Sequence, residues 1–351
     1  MAAYTTIDKP SDHFNTKLYT GNGGTQSITG VGFQPDWVWM KERSETRGHN
    51  IQDSLRGATK YLDSRSDAAE ATVSNTLTAF GSDGFSLGSY DDVNKSSQTY
   101  VAWNWKANGS GSANTAGSIN TTATSVNTTA GFSISTYTGN NTSGATIGHG
   151  LGVKPNVIII KQRNAGSSYW ITYHDKVSSA PETDYVALNS TDAVADADVF
   201  WNDTEPTSTL ITLGNDGWVN GSSTTHVCYA FAEKQGYSKF GSYIGNGNAN
   251  GTFVYTGFKP AFVLCKNTGN GGAQWLMVDN KRVGINPIEN YVQANSSSAE
   301  ATGTDNYDFL SNGFKCRSTN SWNNQSGYNI IYMAFAENPF VTSSGVPATA
   351  R

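Results

Sequence analysis

The chain has 351 residues with 23 basic and 28 acidic side chains, a net charge of −5, and only 15% charged residues where globular chains average about 25%. This balance excludes a broad phosphate-tracking surface, so nucleic acid is not an expected partner. No run of 18 apolar residues occurs to insert into a membrane. Aromatics at 12% exclude a disordered chain, and short Val/Ile/Thr/aromatic runs bounded by Gly, Asn, Asp and Ser predict strands.

The opening residues, MAAYTTIDKPSDHF, hold no apolar stretch of signal-peptide length, which predicts a protein made and retained in a cytoplasm. The phrase YTGNGG (19–24) then returns as YTGNNT (137–142) and YIGNGN (243–248). Its simplest reading is a strand ending in a turn that tolerates left-handed geometry; the other reading is an Asn/Gly loop lining a shallow ligand site. Behind each copy comes a second block, GFQPDWVWMKER (32–43), GVKPNVIIIKQR (152–163) and GFKPAFVLCKNT (257–268), with Lys41, Lys161 and Lys266 each six places after a proline. Four consecutive apolar positions after that proline predict a central strand covered on both faces. The best helical candidate, DSLRGATKYL (53–62), is interrupted by Gly57.

Asp-Gly-Phe (83–85), Asp-Gly-Trp (216–218) and Asn-Gly-Phe (312–314) predict hairpin turns. The closing segments YVAWNWK, CYAFAEK and YMAFAEN place Ala102, Ala230 and Ala334 on one strand face and Trp103, Phe231 and Phe335 on the other. The block prolines are 120 and 105 residues apart, the size of small domains. The expected fold is therefore all-β: three tandem β-sandwiches of jelly-roll or lectin type, with about six to eight strands each. Their predicted spans are 1–107, 131–236 and 237–341. The stretch 108–130 reads as a flexible linker whose later half is able to pair as an edge strand, and 342–351 as a tail ordered only when a partner captures it. Only four residues join the second and third units, which predicts that these two form a rigid pair.

Candidate chemistry is thin. Asp203 and Glu205 are the nearest approach to paired glycosidase carboxylates, but Pro206 places them in a loop. His174–Asp175 has no counterpart histidine beside the aspartates aligned with it, Asp53 and Asp279; these three read as structural carboxylates, with a calcium site as the alternative. Cys228, Cys265 and Cys316 have neither disulfide nor zinc spacing, and no metal or cofactor is expected. Trp170, Trp201, Trp218, Trp275 and Trp322 lie in polar, turn-rich surroundings, where indoles enter a core or domain interface, contact another protein or stack on sugars. Trp201, Trp218 and Trp322 are the candidate ligand-binding residues.

Residues 130–163, 238–267, 309–317 and 330–340 resemble repeat proteins of tailed bacteriophages of marine bacteria, cyanophages among them, and GVGFQPDWVWMKERS with SDGFSLGS resembles the same group. The resemblance implies a virion structural protein of tail-fibre or other surface type, with no catalytic residues to carry over. The expected function is a non-enzymatic tail fibre or fibre tip for host attachment. The chain shows no heptad stalk or collagen-like stretch, which favours the alternative, a capsid decoration or head-fibre protein. A glycan depolymerase is the lesser alternative. The implied partners are other virion proteins, further copies of the chain (a trimer by class) and a host-surface glycan, at the virion surface after synthesis in the bacterial cytoplasm.

Overall fold

A computed structural model describes residues 4–348, without the side chains of 304–306. The chain is 42% strand and 6% helix, all-β as expected. In the first segment lie β1 (Phe14–Thr20), β2 (Gln26–Thr29), β3 (Trp37–Glu42), β4 (His49–Asp53), β5 (Lys60–Tyr61), β6 (Ala71–Thr72), β7 (Leu77–Gly81), β8 (Gly84–Leu87), α1 (Asp91–Asn94) and β9 (Thr99–Trp105). The second holds β10 (Ala123–Asn127), β11 (Phe132–Thr138), β12 (Ala145–Gly148), β13 (Val157–Gln162), β14 (Ile171–His174), β15 (Asp184–Ala187), β16 (Ala195–Asp196), α2 (Asp198–Trp201), β17 (Leu210–Leu213), α3 (Gly217–Asn220) and β18 (Thr225–Phe231). The third holds β19 (Ser238–Ile244), β20 (Phe253–Tyr255), β21 (Phe258–Asn267), β22 (Leu276–Asp279), β23 (Ile288–Gln293), β24 (Ala301–Leu310), β25 (Gly313–Cys316), α4 (Ser321–Asn324) and β26 (Asn329–Pro339).

Each segment contains the same antiparallel order, β1-β9-β3-β4, β11-β18-β13-β14 and β19-β26-β21-β22. The blocks after the prolines form β3, β13 and β21, each flanked by strands on both sides and buried on both faces. One face carries Val38 and Met40, Ile158 and Ile160, or Val263 and Cys265 into a core closed by a smaller outer layer: β2, β7 and β8; β12 and β17; or β20, β24 and β25. The other face meets the other two segments in a single central core, where Trp37 stacks on Tyr229 at 4.7 Å and Phe14 on Phe335 at 5.2 Å. All three segments thus join in one body, whereas only the last two were expected to pair rigidly.

Ala102, Ala230 and Ala334 face the outer cores and Trp103, Phe231 and Phe335 the central one, but the pairing registers make Trp105, not Trp103, the counterpart of Phe231 and Phe335. Residues 53–62 are not a helix: Asp53 accepts from the Arg56 backbone at 2.8 Å, Gly57 has φ +94, and the chain turns into β5. Two of the three expected hairpins form, β7–β8 and β24–β25. Asp216 instead caps α3, accepting from Trp218 N at 2.7 Å, since an Asp side chain satisfies a helix N-terminal amide as readily as it starts a turn. The stretch 108–130 lies along the second segment, with β10 paired to β11. Part of the tail is held as well: Ser343 N donates to Asp8 Oδ1 at 2.6 Å and Val341 bridges Pro347.

The recurring Tyr-x-Gly-Asn phrase is a structural latch. The hydroxyls of Tyr19, Tyr137 and Tyr243 donate to the carbonyls of Val93, Val219 and Asn323 at 2.8, 2.6 and 2.6 Å. In the next residue of each short helix, a fully buried asparagine (Asn94, Asn220, Asn324) accepts from the backbone N–H of Asn22, Asn140 or Asn246 at 2.9 Å. Its amide also donates to two carbonyls, for Asn220 those of Gly214 and Thr142. The glycine is required because a Cβ at Gly21, Gly139 or Gly245 would overlap the carbonyl of Lys95, Gly221 or Gln325. Asn220→Ala removes three hydrogen bonds, to Asn140 N, Thr142 O and the buried Gly214 O, and is expected to lower unfolding stability by about 3 kcal/mol, read from the urea midpoint at unchanged slope.

Candidate functional site

Chemistry-bearing side chains converge where the segments meet. Asp53, at the end of β4, is ion-paired with Arg56 and accepts the Tyr229 hydroxyl of the second segment at 2.7 Å. Arg56 reaches Glu70 at 3.0 Å, and Glu70 accepts both Nε and Nη2 of Arg163, across the segment boundary, at 3.0 Å. The same constellation stands between the third and first segments. Asp279 pairs with Arg282 at 2.6 Å and accepts Trp103 Nε1 at 3.0 Å, while Glu300 joins Arg282 to Arg43. Fork-to-fork arginine–carboxylate contacts fix orientation as well as charge, and burial makes each partner indispensable to the other.

The register corrects the sequence alignment of the aspartates. Asp53 pairs opposite Trp37, His174 opposite Val157 and Asp279 opposite Phe262, so His174 and not Asp175 occupies the repeated position. His174 stands as far after Lys161 as Asp279 stands after Lys266, so it was the shared residue type and not the spacing that aligned Asp175. Burial holds His174 down at about 4, so its neutral ring accepts from Lys176 N and directs Nε2 at the Tyr332 carbonyl of the third segment, 3.1 Å away. Asp175 is held by Asn156 at 2.8 Å. Arginine therefore fills the place considered for calcium at Asp53 and Asp279, and among the described residues no group of three or more His, Cys, Asp or Glu is placed to hold a metal.

The block lysines are wholly buried and serve the same boundaries. Lys41 Nζ donates to Glu42 O at 2.6 Å and reaches Ser297 O of the third segment at 3.4 Å. Lys161 donates to Ser168 O at 2.8 Å and Asp67 O of the first segment at 3.2 Å; Lys266 donates to Ala273 O at 2.5 Å and Thr191 O of the second at 2.9 Å. Desolvation pulls all three ammonium groups down to about 8.

The tryptophans divide. Trp201 is 1% exposed and donates to Asp184 O at 3.1 Å, so it offers no face to a sugar, because α2 turns it into the outer core of the second segment. Trp170 and Trp275 are buried struts whose Nε1 groups donate to carbonyls of the preceding segment, Asp63 and Ser66, and Ala187. Trp218 and Trp322 remain half-buried at matching positions in α3 and α4, each behind a capping Asp216 or Asn320, and so belong to separate patches. Trp218 stacks with half-buried Tyr169 at 4.8 Å and lies parallel to Phe200 at 6.0 Å, with Tyr185 edge-on to Phe200 at 4.6 Å. Burial, then Asp192, Tyr169 and Asp216, raise the Tyr185 hydroxyl. Phe200 is buried, so the rings this patch presents are the half-buried ones of Tyr169, Tyr185 and Trp218. Tyr169 and Tyr185 were not singled out from sequence, since nothing local marks a tyrosine as half-exposed. Asp203 lies in the loop after α2 with φ +45, and Glu205 pairs with Lys154 at 2.9 Å on the surface.

The domain family described as domain of unknown function DUF7483 matches residues 9–339. The chain belongs to this family. The matched span takes in every strand from β1 to β26, and with them all the boundary contacts described above. No curated protein and no solved structure matches the chain. Among the described residues of this DUF7483 member, no helix is long and apolar enough to cross a membrane.

The lysines give a signed test. Because their folded value is near 8 and the unfolded value about 10.5, the unfolded chain binds more protons between these limits, and stability rises with pH across that window. The stability difference between the wild type and Lys161→Met is expected to grow in favour of the wild type by about 2–3 kcal/mol from pH 7.5 to 10.5. Parallel urea titrations at both pH values measure it; a difference independent of pH contradicts a depressed Lys161.

Proposed function

We propose that this chain is a non-enzymatic surface structural protein of a tailed-phage particle, acting as a tail fibre or fibre tip in host attachment and built of three tandem β-sandwich units. The observation that supports it is how the charged groups are used. The buried carboxylate–arginine networks and all three buried lysines bridge segments, which gives a rigid body, while half-buried aromatics remain at the surface of the second segment. Rigid display with a shallow aromatic patch is what attachment requires, and it agrees with the resemblance to phage repeat proteins. The partners on this reading are other virion proteins, further copies of the chain, as a trimer, and a host-surface glycan. Capsid decoration is the alternative.

Two measurements test the proposal. Gold-labelled antibody against the chain, viewed on intact particles by electron microscopy, is expected to mark the tail; label over the capsomers selects decoration, and label absent from particles overturns the virion assignment. Titration of host lipopolysaccharide is expected to quench tryptophan fluorescence, with Trp218→Ala weakening the midpoint about tenfold. An unchanged midpoint in that variant removes the glycan site from this patch.

A further inference from the structure

The stretch 108–130 does more than connect. It covers the open flank of the second segment, where two strands end their sheets. On β11 it adds β10 in antiparallel pairing, Ala123 opposite Thr136 through Asn127 opposite Phe132. On β12 it adds a short parallel contact: Ile119 N donates to Thr146 O at 2.9 Å, and Ser118 Oγ accepts from Thr146 N at 2.8 Å. Ile119 is buried in the outer core and Val126 packs against it. One extended, uncharged Gly/Ser/Thr/Asn segment thus satisfies both edges.

The third segment has the same flank without the cover. Its edges are β19 and β20, the two ends of the strand order, and among the described residues no strand pairs with either on the outer side. The connection from the second segment is too short to reach over them, since β18 ends at Phe231 and β19 begins at Ser238. The surface chemistry differs accordingly. Thr138, Thr146 and Gly148 in the covered flank correspond to Ile244, Phe253 and Tyr255, which are 56%, 45% and 54% exposed. The bonds Gly251 N to Cys316 O and Cys316 N to Thr252 O, both 3.1 Å, turn Thr252 and Val254 toward β25. The backbone N–H and C=O of Phe253 therefore point to the open side, as those of Thr146 point to Ile119. Beside this edge, a groove of about 250 Å³ is lined by Tyr4, Glu233, Lys239, Tyr255 and Gly257. A flat edge with exposed apolar side chains is a template for strand addition.

We propose that the flank of the third segment between β19 and β20 is a docking site for one extended Gly/Ser/Thr/Asn-rich segment of another protein, with isolated apolar residues, lying parallel to β20 as 117–119 lies on β12. Recognition comes from main-chain hydrogen bonds at Phe253 and from apolar contact with Phe253 and Tyr255. The site stands whether the particle surface or some other assembly supplies the partner.

The probe is a dye-labelled synthetic peptide with the sequence of residues 116–127, AGSINTTATSVN, titrated into the full chain by fluorescence anisotropy. Phe253→Pro removes only an outward N–H and no ladder bond to β25; Phe253→Thr copies the covered flank and serves if the proline variant fails to fold by circular dichroism. Saturable binding that weakens about tenfold or more in Phe253→Pro, and by less in Phe253→Thr, is the expected result. No saturation by about 1 mM peptide, or equal binding to wild type and variants, overturns the proposal. Sedimentation that finds a dimer dissolved by Phe253→Pro also overturns it, assigning the edge to a second copy of this chain.

Discussion

The structure depends on one packing event, the meeting of three inner sheets on a shared aromatic core. Trp37, Trp105, Phe132, Tyr229, Phe231, Phe262 and Phe335 come from all three segments and are buried together. Each such side chain contributes roughly 1.5–3 kcal/mol relative to exposure, so an inner sheet detached from its neighbours would present an apolar face too large to leave in water. This is why β3, β13 and β21 are apolar on both faces: one face belongs to the segment and the other to the assembly of segments.

Closing that core brings polar groups into the seams, where each must be paired. Two of the three seams use the same solution, an aspartate that holds an arginine and an aromatic donor, extended by a glutamate to a second arginine. The third seam does not. Between the second and third segments His174 replaces the aspartate, Met333 takes the place that Trp103 and Tyr229 hold in register, and Thr268 takes the place of Arg43 and Arg163. A neutral histidine bonded to a carbonyl replaces two buried ion pairs there. It is the seam that the chain itself crosses with its shortest connection.

The edges follow a similar logic. A sandwich that buries both faces still has unpaired strands at its flanks, and among the described residues one flank is covered, by the chain's own 108–130 segment. The composition of that segment, free of charge and poor in large side chains, is what marks a linker; it also suits a strand that must lie flat against another and bury an occasional Ile119 or Val126.

The sequence by itself determined the all-β class, the central position of the three proline-led blocks, the inward faces of the closing strands and the bland reading of Tyr-x-Gly-Asn. These are local matters of period, turn chemistry and apolar runs, which neighbouring residues settle among themselves. What only the tertiary structure decided was which distant groups meet. Shared residue type aligned Asp175 with Asp53 and Asp279, whereas strand register put His174 there. A loop environment made Trp201 look accessible, whereas α2 turns it into a core. Lys41, Lys161 and Lys266 were visible as a repeated position, but that each is buried against a different segment is a property of three sheets in contact. Pairing between segments is set by the geometry of a shared core, and no single stretch of chain contains that geometry.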